Sequence, residues 1–221
     1  LKKKGMKQLI IDVCDNGGGY LQSAVEIANE FLNKGEIIVA TEGLNSPRSE
    51  AQAIGTGKFK QGNVVVMVNQ YSASASEILA GALQDWDRAP IVGRRSFGKG
   101  LVQRPFVFED GSMLRLTTAR YYTPSGRCIQ KPYEGGKRKD YAKDILDRFN
   151  EGELMNSDSI HTVDSLKYNT LKRQRIIYGG GGIIPDIFVP LDTTWYSDYY
   201  RDVIAKGTFH QFVIRQVENN R

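Results

Sequence analysis

Ser72-Ala73-Ser74-Ala75-Ser76-Glu77 lies between an aliphatic run and a helical stripe. Small residues at such a turn let backbone approach a substrate closely, and the free N–H groups and dipole of the following helix favour developing negative charge. Ser74 with Glu77 three positions on also spells a capping box, so the segment has a structural reading beside the chemical one. A serine is a weak nucleophile at its own pKa and needs a neighbouring base. The two histidines, His161 and His210, follow no core strand, which disfavours a serine–histidine–aspartate triad. Lysine serves as base where burial or nearby positive charge keeps part of it neutral. Lys99 is the candidate, in Ser96-Phe97-Gly98-Lys99-Gly100, where two glycines let the chain turn around one long side chain. Asn16-Gly17-Gly18-Gly19 is either turn chemistry alone or a source of a peptide N–H that helps Ala75 N–H hold an oxyanion.

A phosphate-binding reading competes for the same lysine. Gly93-Arg94-Arg95-Ser96-Phe97-Gly98-Lys99 matches seven positions of a Walker A loop. Gly100 then stands where a Ser or Thr would hold Mg²⁺, and the next run is strand-like rather than helical. The glycines after Asn16 do not have the dinucleotide spacing either.

The elements that must position these residues follow from periodicity. Gln8 to Val13 reads as a strand ending in the glycine turn. Leu21, Ala24, Val25, Ala28, Phe31 and Leu32 form the stripe of an amphipathic helix, and Glu36 to Thr41 a second buried strand. Strand, turn, helix and strand predict a βαβ unit with parallel pairing. Val64 to Val68, a helix with Leu79, Ala82, Leu83 and Trp86 on one face, and Pro90 to Gly93 predict a second unit. The middle of Gly43 to Gly62 reads as a surface hairpin, and Leu101 to Phe108 with Met113 to Thr123 as another around Asp110-Gly111. Lys131 to Tyr178 is too long for an ordinary loop and reads as an insertion with helix over Tyr141 to Phe149. Tyr199 to Val217 reads as two helical pieces broken at Gly207.

The 221 residues, 40% of them hydrophobic, suffice for one sizeable core plus an appendage and exclude collagen-like, coiled-coil and wholly disordered classes. The aliphatic run Val64 to Val68 is far too short to span a bilayer. A net charge of +5, with basic clusters lacking interleaved aromatics, gives no nucleic-acid footprint. Cys14 and Cys128 form neither a disulfide framework nor a zinc pattern. The opening Leu1-Lys2-Lys3-Lys4, without an initiator Met, reads as the start of a piece of a longer polypeptide.

Taken together and in order, Asp12 to Gly19, Ser72 to Glu77 and Gly98 to Gln103 resemble the C-terminal processing proteases, also called tail-specific proteases. Tyr121 to Arg127 and Gly182 to Ile187 add weaker matches, so the resemblance covers Gln8 to Ile129 and resumes at Gly179. It implies an α/β, crotonase-like core over 1–130 and 179–192, an insertion over 131–178 and a helical C-terminal segment over 193–221. The implied activity is endopeptidase cleavage of protein or peptide substrates near the C-terminus through an acyl-enzyme, with no metal or organic cofactor. The family's nucleophile falls on Ser74, because the separation of 25 positions from Ser74 to Lys99 reproduces the family's. Lys99 becomes the general base, Gln103 the residue that positions it, and the backbone N–H groups of Gly18 and Ala75 the oxyanion hole. Relatives usually carry a PDZ domain, which is expected in a preceding part of the parent protein, and Gram-negative relatives work in the periplasm. Cys14 departs from the arginine common at that place. The competing expectation is a non-catalytic module that holds an extended peptide by strand addition.

Overall fold

The computed structural model describes residues 4–133, 138–194 and 206–219, with residues 197, 199 and 203 besides. The chain divides into two compact units, Leu1–Pro190 and Leu191–Arg221.

In the first unit, β1 (Gln8–Asp12) leads through the glycine turn to α1 (Leu21–Asn29), and β2 (Ile37–Gly43) and β3 (Ser46–Gln52) form a hairpin. Then come β4 (Asn63–Val68), α2 (Ala75–Asp85) and β5 (Ile91–Gly93), followed by the hairpin of β6 (Leu101–Val107) and β7 (Met113–Tyr122). Beyond them lie α3 (Arg138–Asn150), a short antiparallel pair β8 (Lys167–Asn169) and β9 (Ile176–Tyr178), and β10 (Ile187–Phe188). The second unit holds α4 (Thr208–Asn219), so the later of the two expected C-terminal helical pieces is present. The earlier piece lies largely outside the described residues.

Two four-stranded sheets result, one parallel with order β1-β4-β5-β10 and one antiparallel with order β3-β2-β7-β6. Parallel pairing holds for β4–α2–β5, as the periodicity predicts. The first unit differs, because β1 pairs with β4 rather than with β2. A two-residue turn at Leu44-Asn45 lets β2 pair at once with β3, and β7 takes its other edge. Local antiparallel closure satisfies the ladder of β2 before any crossover is needed.

Between these sheets α2 is the structural axis. Every residue from Ser76 to Asp85 is buried, and one apolar cluster joins its Ile78, Leu79 and Leu83 with Val64, Val66 and Val68 of β4 and Ile38 and Val39 of β2. Each such large apolar side chain contributes about 1.5–3 kcal/mol on burial, so the start of α2 is held firmly. Its far end carries a wholly buried ion pair, Arg127 Nη2 to Asp85 Oδ1 at 2.8 Å. Gln84 Oε1 accepts from the same guanidinium nitrogen at 2.7 Å, and Ser125 N–H donates to Asp85 Oδ2 at 2.9 Å.

Candidate active site

The N-terminus of α2 and two loops meet at one place. Ser74 is the N-cap of α2 and half-buried, and its backbone stands at φ 58°, ψ −115°. That is a left-handed conformation rarely held by a residue with a Cβ, with a strain of about 1–3 kcal/mol. The buried face of α2 outweighs this several-fold.

The Asn16–Gly19 loop is stitched to the serine turn. Ala73 N–H donates to Asn16 O at 3.0 Å, Ser76 Oγ to Asn16 O at 3.0 Å, and Ser72 Oγ to Val13 O at 2.6 Å. Asp15 and Asn69 exchange two further bonds across the same seam. Gly18, at φ 94°, lies so close that a Cβ there would sit 2.5 Å from Ala73 O and 2.7 Å from Ala75 N. Glycine is therefore required at this position by space as well as by φ. Gly18 N–H itself donates to Asn16 Oδ1 at 2.9 Å. Ala75, Gly17 and Gly19 N–H groups have no hydrogen-bond partner among the described residues.

Lys99 stands in the loop between β5 and β6, half-buried, with no ion-pair or hydrogen-bond partner for its ammonium among the described residues. Glu77 joins that loop to the serine. Its wholly buried carboxylate accepts from Ser96 Oγ at 2.5 Å and Gly98 N at 2.7 Å on Oε1, and from Ser74 N and Lys99 N at 2.9 Å each on Oε2. Burial pushes this carboxyl above the ordinary range, while the four donors act in the opposite direction. The loop is fixed further by Phe97 N–H to Ser72 O, Lys131 N–H to Gly98 O and Gly100 N–H to Gln130 Oε1. Ser96 N–H donates to Ile183 O at 3.0 Å, and Ile183 N–H to Ser96 Oγ at 2.7 Å.

Beside Ala75 and Gly18 opens a cavity of about 270 Å³, walled largely by Val13, Tyr20, Ala24, Ile27 and Leu79. Gln103 lies on β6 beyond a register shift between Val102 and Gln103, exposed and without a hydrogen bond to Lys99. His161 borders a separate cavity of about 80 Å³ with Arg95 and the Gly179–Gly182 turn. Lys99 is followed by β6 rather than by the helix that follows a Walker A loop. Cys14 and Cys128 are free thiols, and burial together with Asp12 pushes the Cys14 thiol up to about 11.

The family model described as peptidase family S41 matches residues 1–142. The chain belongs to peptidase family S41. It is 38% identical over 128 residues to a probable CtpA-like serine protease of Staphylococcus aureus (strain bovine RF122 / ET3-1), and equally to one of Staphylococcus saprophyticus. That stretch is 58% of this chain and 26% of the relative, so the chain spans about a quarter of the curated relatives it matches. Among solved structures it is similar to the photosystem II D1 C-terminal processing protease, with TM-score 0.59 and 28% identity over 86% of this chain and 36% of that one. A putative S41 protease from Bacteroides fragilis, at TM-score 0.50 and 13% identity over 67% of this chain and 46% of that one, shares the fold. No described helix is long and apolar enough to cross a membrane.

In the sequence Glu77 has only a local role, as the carboxylate of a capping box. The Ser74–Glu77 spacing shows the cap, and the carboxylate arm of the capping box is present. Nothing in that spacing shows the three bonds to residues 19 to 22 positions away.

Proposed function

We propose that this chain carries the catalytic apparatus of a serine endopeptidase that cleaves protein or peptide substrates near their C-termini through a Ser74/Lys99 dyad. The observation that supports this best is the Glu77 carboxylate, which binds the backbone of the proposed nucleophile and that of the proposed base through one oxygen. Neutral Lys99 accepts the Ser74 proton as Oγ attacks the peptide carbonyl, and the Ala75 N–H, free of other partners, receives the developing oxyanion. Gly18 supplies the second donor once its N–H leaves Asn16; otherwise the adjacent glycine amides of the same loop take that place. Lys99 returns the proton to the leaving amine and then activates the water that releases the acyl group. Gln103 orients the lysine when substrate fills the groove. The apolar cavity beside Ala75 receives the side chain preceding the cleaved bond. The reaction needs neither a metal nor an organic cofactor. By analogy with the family, the parent protein carries a PDZ domain and acts outside the cytoplasm.

The engaged Gly18 N–H and the unattached Gln103 favour the second reading, a peptide-binding module whose dyad never assembles. Incubation of an unfolded protein with an apolar C-terminus, with products read by mass spectrometry, separates the two. Cleavage that Ser74→Ala and Lys99→Ala each reduce at least about a hundred-fold while folding is retained fits the dyad. Turnover should also rise with pH, because the base acts unprotonated. Binding without cleavage by the unsubstituted chain would move the module reading to the front.

A further inference from the structure

The loop that carries Lys99 is gripped from outside the residues matched by the family model. Arg148, on α3, is 3% exposed and directs all three guanidinium nitrogens inward. Its Nη2 donates to Arg95 O at 2.6 Å, its Nη1 to Ser96 O at 3.1 Å, and its Nε to Glu153 Oε1 at 2.7 Å. Glu153, 2% exposed, in turn pairs through both oxygens with the side chain of Arg95. The Tyr141 ring of α3 meets Phe97 edge-on at 5.9 Å. Lys131 lies over both rings and bonds to Asp144 at 2.9 Å.

We infer that α3 and the turn after it form a clamp that positions the Lys99 loop, with Arg148 as the positioning residue, so that docking of this segment sets whether the S41 site is competent. The argument rests on the serine-protease reading above. Two successive carbonyls, Arg95 and Ser96, point at one guanidinium, and only arginine has the planar fork that serves both while holding a carboxylate on its third nitrogen. Next toward Lys99, Phe97 N–H donates to Ser72 O, and the N–H groups of Gly98 and Lys99 reach Glu77. Release of the two carbonyls removes one hold on this end of the loop, beside those from Glu77, Ser72 and Ile183, and loosens the backbone that positions Lys99. A displacement of about 1 Å at a catalytic group lowers turnover about a hundred-fold.

The test compares Arg148→Met, Arg148→Lys and Leu32→Ala, a core substitution remote from the loop, with the unsubstituted chain. The clamp predicts that Arg148→Met lowers kcat ten- to a hundred-fold with KM within about three-fold, and that Arg148→Lys restores part of it. Leu32→Ala should lower thermal stability at least as much and leave kcat unchanged. Amide exchange over residues 96–100, read in a Ser74→Ala background so that turnover is not needed, should quicken in Arg148→Met. Full kcat in both Arg148 variants, or unchanged exchange in that segment, overturns the clamp alone. If Arg148→Met does not fold, Arg148→Lys decides by the same two readings. Absence of any Ser74-dependent turnover in the unsubstituted chain overturns the serine-protease reading, and the positioning role with it.

Discussion

Glu77 has four donors on two oxygens and no access to water. Glu77→Gln keeps the shape but turns an NH₂ toward one donor pair, leaving at least one buried N–H without an acceptor. The expected result is a loss of about 1–3 kcal/mol in chemical denaturation and a fall in kcat larger than any change in KM. The pH dependence has a definite sign. The carboxyl is pushed above its ordinary 4.5 in the folded chain, so the folded state holds this proton more tightly than the unfolded state. Its contribution to stability is complete below 4.5 and declines as pH rises toward the folded value. The advantage of the unsubstituted chain over Glu77→Gln should therefore shrink as pH is raised from below 4.5; an advantage that grows would mean that the four donors outweigh burial. Residue types and spacing make the serine turn, Lys99 and the glycine loop candidates beside capping and turn readings, and the resemblance chooses Ser74 among the three serines. They could not show where a backbone N–H points, which is why the engagement of Gly18 by Asn16 and the long-range partners of Glu77 emerge only in three dimensions.

At the scale of elements, periodicity identified β1, β2, β4, β5, α1, α2 and the β6–β7 hairpin, because each has one consistently apolar face or a turn with glycine at the right place. The short pair β8–β9 has no such signal, and β3 pairs with β2 instead of folding into a hairpin of its own within Gly43 to Gly62. Partner choice was less legible. The stretch Glu36 to Thr41 looks the same whether it pairs with β1 or with β3, and the short Leu44-Asn45 turn settles the matter by proximity. The junction of the glycine turn with α2 makes a sharp distinction among three adjacent glycines. An alanine Cβ at position 18 would strike Ala73 O and Ala75 N, whereas at 17 or 19 it would meet nothing within 4 Å. Gly18→Ala should cost about 1–3 kcal/mol and abolish most turnover, while Gly17→Ala and Gly19→Ala should melt near the unsubstituted temperature. Equal melting temperatures for all three would contradict the described contact.

On the scale of the whole first unit, α2 links everything: its start carries Ser74, and its end is tied by Arg127 and Asp85 to the chain that follows β7. Removing one partner of so buried a pair leaves an uncompensated charge. Arg127→Met should destabilise the chain by about 3–5 kcal/mol in denaturant titration, and a loss below about 1 kcal/mol would show that the charge finds water. The bonds between Ser96 and Ile183 also have a consequence for the order of synthesis. Translation delivers Ser74, Glu77 and Lys99 well before Ile183, so the two bonds between Ile183 and Ser96 are the last of the described contacts of Ser96 to become available. A nascent or truncated chain that stops short of Ile183 has every proposed catalytic residue but lacks two of the bonds that hold Ser96. The fastening of this loop is thereby completed only when the first unit is nearly whole.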